Sequence, residues 1–262
     1  MGVLAMSKHE GAGNDFLVMI DLEERVGLTD EEVRRLADRH FGIGADGVIT
    51  VTSGTGGGEI TMALRNHDGS SAEISGNGLR CVAHEVVRAG LAAAGSFSVM
   101  TGAGLRRVSC SEPDGLRAWT SASMGALEVL DLDASARRVT LSAGNPHLVF
   151  AVEDIAAVDV AAQGAALQGT RAGGINVEWI APATDGHLAM VVYERGVGPT
   201  LACGSGSCAA ALAARELGLG GSQVVVENPG GPLTVELDGL EATLSGEVRL
   251  IADLLVPLER MR

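Results

Sequence analysis

At 262 residues the chain exceeds the roughly 100–200 of a usual single domain, so two lobes or one large barrel is expected. Hydrophobic residues make up 46% but aromatics only 3%, beside 37 Gly, so the core is aliphatic and a disordered chain is excluded. With 19 Lys+Arg against 33 Asp+Glu, the formal charge of -14 repels phosphate backbones and anionic membranes; neither a nucleic acid nor a membrane is an expected partner.

Taken in chain order, Met1 to Glu10 has no apolar stretch of the kind that directs export. Thr29-Asp30-Glu31-Glu32 reads as a capping box ahead of Val33, Leu36, Ala37 and His40, with Gly42 as the stop of an amphipathic surface helix. Runs at 59–64, 105–110, 116–121, 188–193, 223–227 and 233–237 are β-rich, and 112–115 and 228–231 are turns between them. From Gly76 to about Arg88, and from Gly204 to about Glu216, the pattern is apolar nearly all round, so both segments predict buried helices. The uncharged stretch Gly196 to Ala214 is too broken by Gly, Pro, Thr and Ser to span a bilayer. Four cysteines do not form a disulfide framework, and Cys203-x4-Cys208 does not match a zinc pair, so a reducing cytoplasm is the expected location.

The chain also repeats itself. Gly13-Asn14-Asp15-Phe16-Leu17-Val18 is echoed by Gly144-Asn145-Pro146-His147-Leu148-Val149, and Gly42-Ile43 through Ile49 by Gly173-Gly174 through Ile180. Ser75-Gly76-Asn77-Gly78 matches Cys203-Gly204-Ser205-Gly206, and the strand-turn-strand from Val99 to Leu105 matches Glu227 to Leu233. Four matches in order predict two lobes of one fold. The expected boundaries are 1–123 for the first lobe, with a C-terminal strand at 250–262 able to pack back onto it, and 124–249 for the second. The expected class is α/β (α+β): two pseudo-symmetric lobes, each a strongly curved, mostly antiparallel sheet wrapped around its buried helix, with the active site in the cleft between them.

In each lobe Ser75 or Cys203 precedes Gly-[Asn/Ser]-Gly at the start of a buried helix. Free backbone N–H groups and the positive end of the helix dipole collect there, which makes a carboxylate site and is expected to depress the pKa of an adjacent thiol. Two such mouths sharing one carboxylate suit proton removal from one face of the neighbouring carbon and return to the other, a cofactor-free racemisation. The plainer alternative is that Gly-rich strand-to-helix turns are ordinary and Cys203 is a small core residue; only the symmetry argues against it. Cys81, Cys110 and Cys208 read as structural, and His9, His40, His67, His84 and His187 as surface or turn residues. His147 stands apart because it lies in the repeated Gly-Asn motif beside a proline. Glu194-Arg195 ends an apolar strand, where Arg195 either grips a carboxylate or forms a surface ion pair.

These motifs resemble the diaminopimelate epimerase family. The matching segments are Lys8 to Phe16, Gly42 to Gly47, Asn66-His67-Asp68-Gly69, Ser75 to Cys81, Gly144 to His147, Asn176, Glu194-Arg195-Gly196 and Ala202 to Gly206, in the family's order across nearly the whole chain. The resemblance implies a metal-free and cofactor-free two-base isomerase acting on a small-molecule amino acid in lysine and peptidoglycan-precursor synthesis; a homodimer is expected. Cys203 would be one base, supported by Glu194, and residue 75 the other, supported by His147. Gly76, Asn77, Gly204 and Ser205 would hold the carboxylate at the reacting centre. Asn14, Asn66, Asn145, Asn176 and Arg195 would bind the rest of the substrate, Arg195 and Asn66 at its distal end.

The pattern breaks at position 75, where the family carries its first catalytic cysteine and this chain has Ser75. A hydroxyl is far less acidic than a thiol. An engineered or impaired epimerase is one account; a one-base dehydratase or isomerase of the same superfamily, or an amino-acid-binding protein without catalysis, are the alternatives. Pro199 is a lesser departure, where the family usually has Glu.

Overall fold

The aliphatic, Gly-punctuated sequence favours short strands whose alternate residues face one core, and strands account for most of the chain. The structure, a computed structural model, describes residues 3–257; the remainder of the expected 250–262 strand lies outside the described residues. The elements run β1 (Val3–Gly11), β2 (Asn14–Ile20), α1 (Asp30–Ala37), β3 (Gly47–Ser53), β4 (Ile60–Asn66), β5 (Ser71–Ala72), α2 (Gly76–Arg88), β6 (Gly95–Thr101), β7 (Gly104–Cys110) and β8 (Arg117–Ala126). They continue with β9 (Glu128–Asp133), β10 (Arg138–Ser142), β11 (Pro146–Ala151), α3 (Val160–Gln168), β12 (Asn176–Pro182), β13 (Leu188–Glu194), β14 (Gly198–Thr200), α4 (Gly204–Glu216), β15 (Gln223–Asn228), β16 (Gly231–Asp238) and β17 (Glu241–Pro257). The chain divides into two compact units, Met1–Ala122 with Glu247–Arg262, and Ser123–Gly246. Both changes of unit fall inside continuous strands, β8 and β17, rather than in linkers.

In the first unit the ladder runs β1–β2–β3–β4–β6–β7–β8 and returns through β17 to β1, with β2/β3 and β4/β6 parallel and the other neighbours antiparallel where a register is defined. Inside lies α2, buried from Gly76 to Val86, with Leu79, Val82 and Val86 packed among Phe16, Val18, Ile49, Phe97, Val99 and Val108. Burying one such aliphatic side chain contributes about 1.5–3 kcal/mol, and this is what keeps the helix inside the sheet. The second unit runs β9–β10–β11–β12–β13–β15–β16–β17, with β11/β12 and β13/β15 parallel, so it repeats the alternation of parallel and antiparallel ladders. The paired repeats meet in parallel ladders two residues out of step with the sequence match: Phe16 opposes Gly47 at the start of one, and His147 opposes Asn176 at the start of the other. Its enclosed helix, α4, is alanine-rich, and Cys208 to Ala214 are fully buried. Methyl side chains let surrounding strands approach closely without voids.

α1 forms as the capping box predicts: the Thr29 hydroxyl accepts from Glu32 N–H, and the Glu32 carboxylate accepts from Thr29 N–H at 2.7 Å. It ends at Ala37, so His40 and Gly42 lie past its end. α3 is a helix that the hydrophobic pattern does not announce. Asp159 caps it by accepting from Ala162 N–H at 3.0 Å, and among its residues Gly164 alone is buried, against the Tyr193 ring.

Two histidines contradict the surface assignment. His9 and His84 are fully buried and meet edge-to-face with ring centroids 5.1 Å apart. His9 Nε2 bonds Glu85 Oε2 at 3.0 Å, whereas neither ring nitrogen of His84 has a hydrogen-bond partner. The periodicity of α2 makes this intelligible, because position 84 falls on a helix with no solvent face. His40 and His67 are exposed, and His187 pairs with Glu227.

Candidate active site

Ser75 and Cys203 occupy the same local structure. Each is the N-cap of its unit's buried helix, with φ/ψ of -131°/125° and -125°/118°, and each side chain accepts from the third helical N–H. The distances are 3.1 Å from Gly78 N to Ser75 Oγ and 3.4 Å from Gly206 N to Cys203 Sγ. The cap leaves the first two amides, those of Gly76 and Asn77 or of Gly204 and Ser205, pointing out of the helix end. Amides so placed bind an anion.

At the α2 mouth a chain of amides is tied down. Arg80 Nη2 donates to Asn77 Oδ1 at 2.9 Å, Asn77 Nδ2 donates to Asn14 Oδ1 at 3.4 Å, and Asn14 Nδ2 donates to Asp46 Oδ2 at 2.6 Å. Asp46 and Asp15 share Arg39, and Asp15 also pairs with Lys8 at 2.9 Å. Burial works to raise the Asp15 carboxyl, but hydrogen bonds from Arg39 and Lys8 outweigh it and hold the group below its usual range. Ser75, Asn77 and Asn14 are therefore brought together. Asn66 is bonded elsewhere, Nδ2 donating to Ser70 Oγ at 3.0 Å. A cavity of about 480 Å³ beside the end of α1, lined by Arg34, Asp38, Arg39, His40, Asp46 and His67, contains none of the expected site residues.

At the α4 mouth Cys203 is 6% exposed, with Ser205 Oγ 3.5 Å from its sulfur. Glu194 hydrogen-bonds the Cys203 side chain and accepts from Thr200 Oγ1 at 2.5 Å. Here the expected pKa depression is overturned. Burial pushes the Cys203 thiol well above its ordinary value, and the nearby Glu194 and Glu178 carboxylates add to the shift, outweighing the bonds from Ser205 and Gly206. Burial likewise raises Glu194, opposed by its bonds to Thr200 and Cys203. The resting sulfur is a thiol, a proton donor rather than a standing base.

His147, expected as a partner of residue 75, is bonded within its own unit: Nδ1 lies 2.6 Å from Glu178 Oε1 and Nε2 2.9 Å from Asn145 Oδ1. Glu178 was absent from the expected set. Its signal in the sequence is a lone acid in the apolar strand Asn176-Val177-Glu178-Trp179-Ile180, two residues from Asn176 and so on the same face. Asn176 organises the end of β13, with Oδ1 accepting from Arg195 N–H at 2.9 Å and Nδ2 donating to Pro146 O at 3.2 Å. The exposed Arg195 side chain donates to Gly173 O at 3.1 Å. Pro199 is exposed in β14 opposite Tyr193. Among the described residues no group of three or more His, Cys, Asp or Glu is placed to hold a metal ion, and no helix is long and apolar enough to cross a membrane.

The fold is shared with solved proteins of low sequence identity. A phenazine biosynthesis protein of the PhzF family from Bacillus anthracis superposes with a TM-score of 0.77 at 16% identity, covering 98% of this chain and 100% of that one. A hydroxyproline epimerase from Agrobacterium vitis gives 0.75 at 16%, covering 98% and 94%. Sequence relatives are nearer. The diaminopimelate epimerase of Acidovorax ebreus is 37% identical over 90% of both chains, and that of Rhodococcus erythropolis 34% identical over 97% of this chain and 96% of the other. The family model described as diaminopimelate epimerase matches residues 6–129 and 139–251. With the match running through both helix mouths and both units, the chain belongs to the diaminopimelate epimerase family.

Proposed function

We propose that the chain inverts the α-carbon of LL-diaminopimelate to give the meso form, moving one proton off and another on without a cofactor. Family membership supports the reaction class, an isomerase of the amino-acid epimerase type. The observation that carries the residue assignment is the closely matching N-cap geometry of Ser75 and Cys203, each beside two outward amides suited to one α-carboxylate. In this reading Gly76, Asn77, Gly204 and Ser205 hold that carboxylate, which draws charge from the α-carbon and acidifies its C–H. Cys203, protonated at rest, delivers its proton to one face while residue 75 removes the proton from the other; Glu194 and His147 adjust the two proton carriers. Asn14, Asn66, Asn145, Asn176 and Arg195 bind the remaining groups.

Serine at position 75 weakens the abstraction half of this cycle, since an alkoxide is inaccessible near neutral pH where a thiolate is not. Ser75→Cys should therefore raise epimerisation by about a hundred- to ten-thousandfold, the usual worth of a positioned acid or base. The measurement is turnover of LL-diaminopimelate together with deuterium uptake at its α-carbon. Unchanged turnover in the Ser75→Cys form would remove residue 75 from the mechanism. Deuterium uptake without inversion would favour a one-base isomerase or dehydratase, and no uptake in either form would favour a binding protein.

A further inference from the structure

Glu178 is a fully buried carboxylate that the proposed reaction does not use. Its Oε2 has no hydrogen-bond partner, and its Oε1 lies 2.6 Å from His147 Nδ1. The register explains the placement. Glu178 opposes Val149 across the parallel β11/β12 ladder, so His147 and Glu178 share a sheet face. Gly206 leaves it room: a Cβ there would sit 2.8 Å from Glu178 Oε1 and 3.3 Å from Cys203 Sγ. The carboxylate is thus wedged between the His147 ring and the first turn of α4.

The hydrogen bonds have a direction. A carboxylate accepts, so Nδ1 of His147 donates to Glu178. The other ring nitrogen faces Asn145 Oδ1 at 2.9 Å, an oxygen that can only accept, so Nε2 donates as well. A ring donating at both nitrogens carries a positive charge, which in a buried site needs the opposite charge that Glu178 supplies. With Oδ1 turned to the ring, the half-buried Asn145 has its Nδ2 donor on the side of the amide away from Nε2.

We propose that Glu178 is a positioning residue which, through His147, sets the amide of Asn145 so that a donor rather than an acceptor faces a carboxylate of the substrate. This rests on the reading of Asn145 as a substrate-binding residue. Without the charge of Glu178 a neutral ring would keep its proton on Nδ1 and offer a lone pair at Nε2. Asn145 would then rotate, turning Nδ2 to the ring and Oδ1 to the ligand, where it would oppose a carboxylate. The other titratable groups packed around this relay are Glu194 from the end of β13 and Cys203 from the start of α4.

The test pairs nitrogen NMR of the ¹⁵N-histidine-labelled chain with calorimetric binding of diaminopimelate. Expected for the parent at neutral pH is a His147 ring protonated at both nitrogens; in Glu178→Gln, whose amide oxygen still accepts from Nδ1, Nε2 loses its proton. Affinity for diaminopimelate should fall about tenfold, the worth of one well-formed hydrogen bond to a charged group. The loss should vanish when Glu178→Gln is made in an Asn145→Ala background, whereas a merely structural role would lower affinity equally in both. Should Glu178→Gln not fold, the ring spectrum of the unmodified chain supplies the test: both His147 nitrogens must carry protons. A ring singly protonated in the parent, or binding indifferent to the Glu178 charge, overturns the relay alone. A parent that binds no diaminopimelate overturns the substrate reading and the ligand half of this proposal together, while the ring spectrum still judges the hydrogen-bond half.

Discussion

Buried between its helix and a closed sheet, with no hydrogen-bond partner for either ring nitrogen, His84 cannot ionise at its usual pH. Burial, reinforced by the charge of His9 and opposed by Glu85, lowers the His84 pKa from 6.5 to about 4. The unfolded chain therefore binds more protons than the folded one between these values. Stability should be complete above pH 6.5 and fall as the pH drops through that window, by about 3 kcal/mol from this group. The carboxylates of Asp15 and Glu85 are shifted downward, so their contribution is held above their unfolded values and lost only at lower pH. Urea unfolding across pH 7 to 4 should accordingly show a slope that His84→Leu reduces by about one proton. An unchanged slope would mean that His84 reaches water in the folded state. The same balance of burial against stabilising contacts explains Cys203: the sequence places the thiol at a helix end, but only its depth and its acidic neighbours decide that it rests protonated.

Among the elements, α3 shows what a hydrophobic pattern leaves out. Its sequence, Val160-Ala161-Ala162-Gln163-Gly164-Ala165-Ala166-Leu167-Gln168, has no apolar stripe because alanines run round it; Val160 and Leu167 pack only in part against the sheet, and Gly164 alone is buried, in contact with Tyr193. The small residue at that contact matters. An added Cβ at Gly164 would lie 2.2 Å from Tyr193 Cγ, so the ring or the helix would have to move. Gly164→Ala should destabilise the protein by about 1–3 kcal/mol through overpacking, although alanine is the better helix former. Thermal unfolding measures it, and a stabilised variant would show that α3 does not press on Tyr193. α1, α2 and α4 were legible for the opposite reason. A capping box and two apolar segments preceded by Gly-x-Gly are local signals that no distant residue has to complete.

For the molecule as a whole, β17 is the segment on which the first unit depends from outside its own stretch of sequence. Beyond Gly246 it supplies Val248 and Leu250 to the buried interior and pairs along β1 from Glu10↔Arg249 to Val3↔Pro257. Truncation after Gly246 should leave the β16/β17 pairing from Thr234↔Ser245 to Asp238↔Glu241 available while stripping β1 of one neighbour. Hydrogen exchange should then show β1 amides losing protection while β16 amides retain theirs. Persistent protection of β1 would mean that its pairing with β2 suffices.

The sequence alone determined the elements whose signals are local, the repeat that makes two units of one topology, and the two N-cap positions, because each depends on spacing and residue type within a few positions. Tertiary structure decided what depends on depth and on residues far apart in the chain. It buried His9 and His84 together, placed Glu178 against His147 across a parallel ladder, and raised the Cys203 thiol that its helix end alone would have lowered. Desolvation and cross-strand pairing act between residues that no short window of sequence contains, and at these positions they are the larger energies.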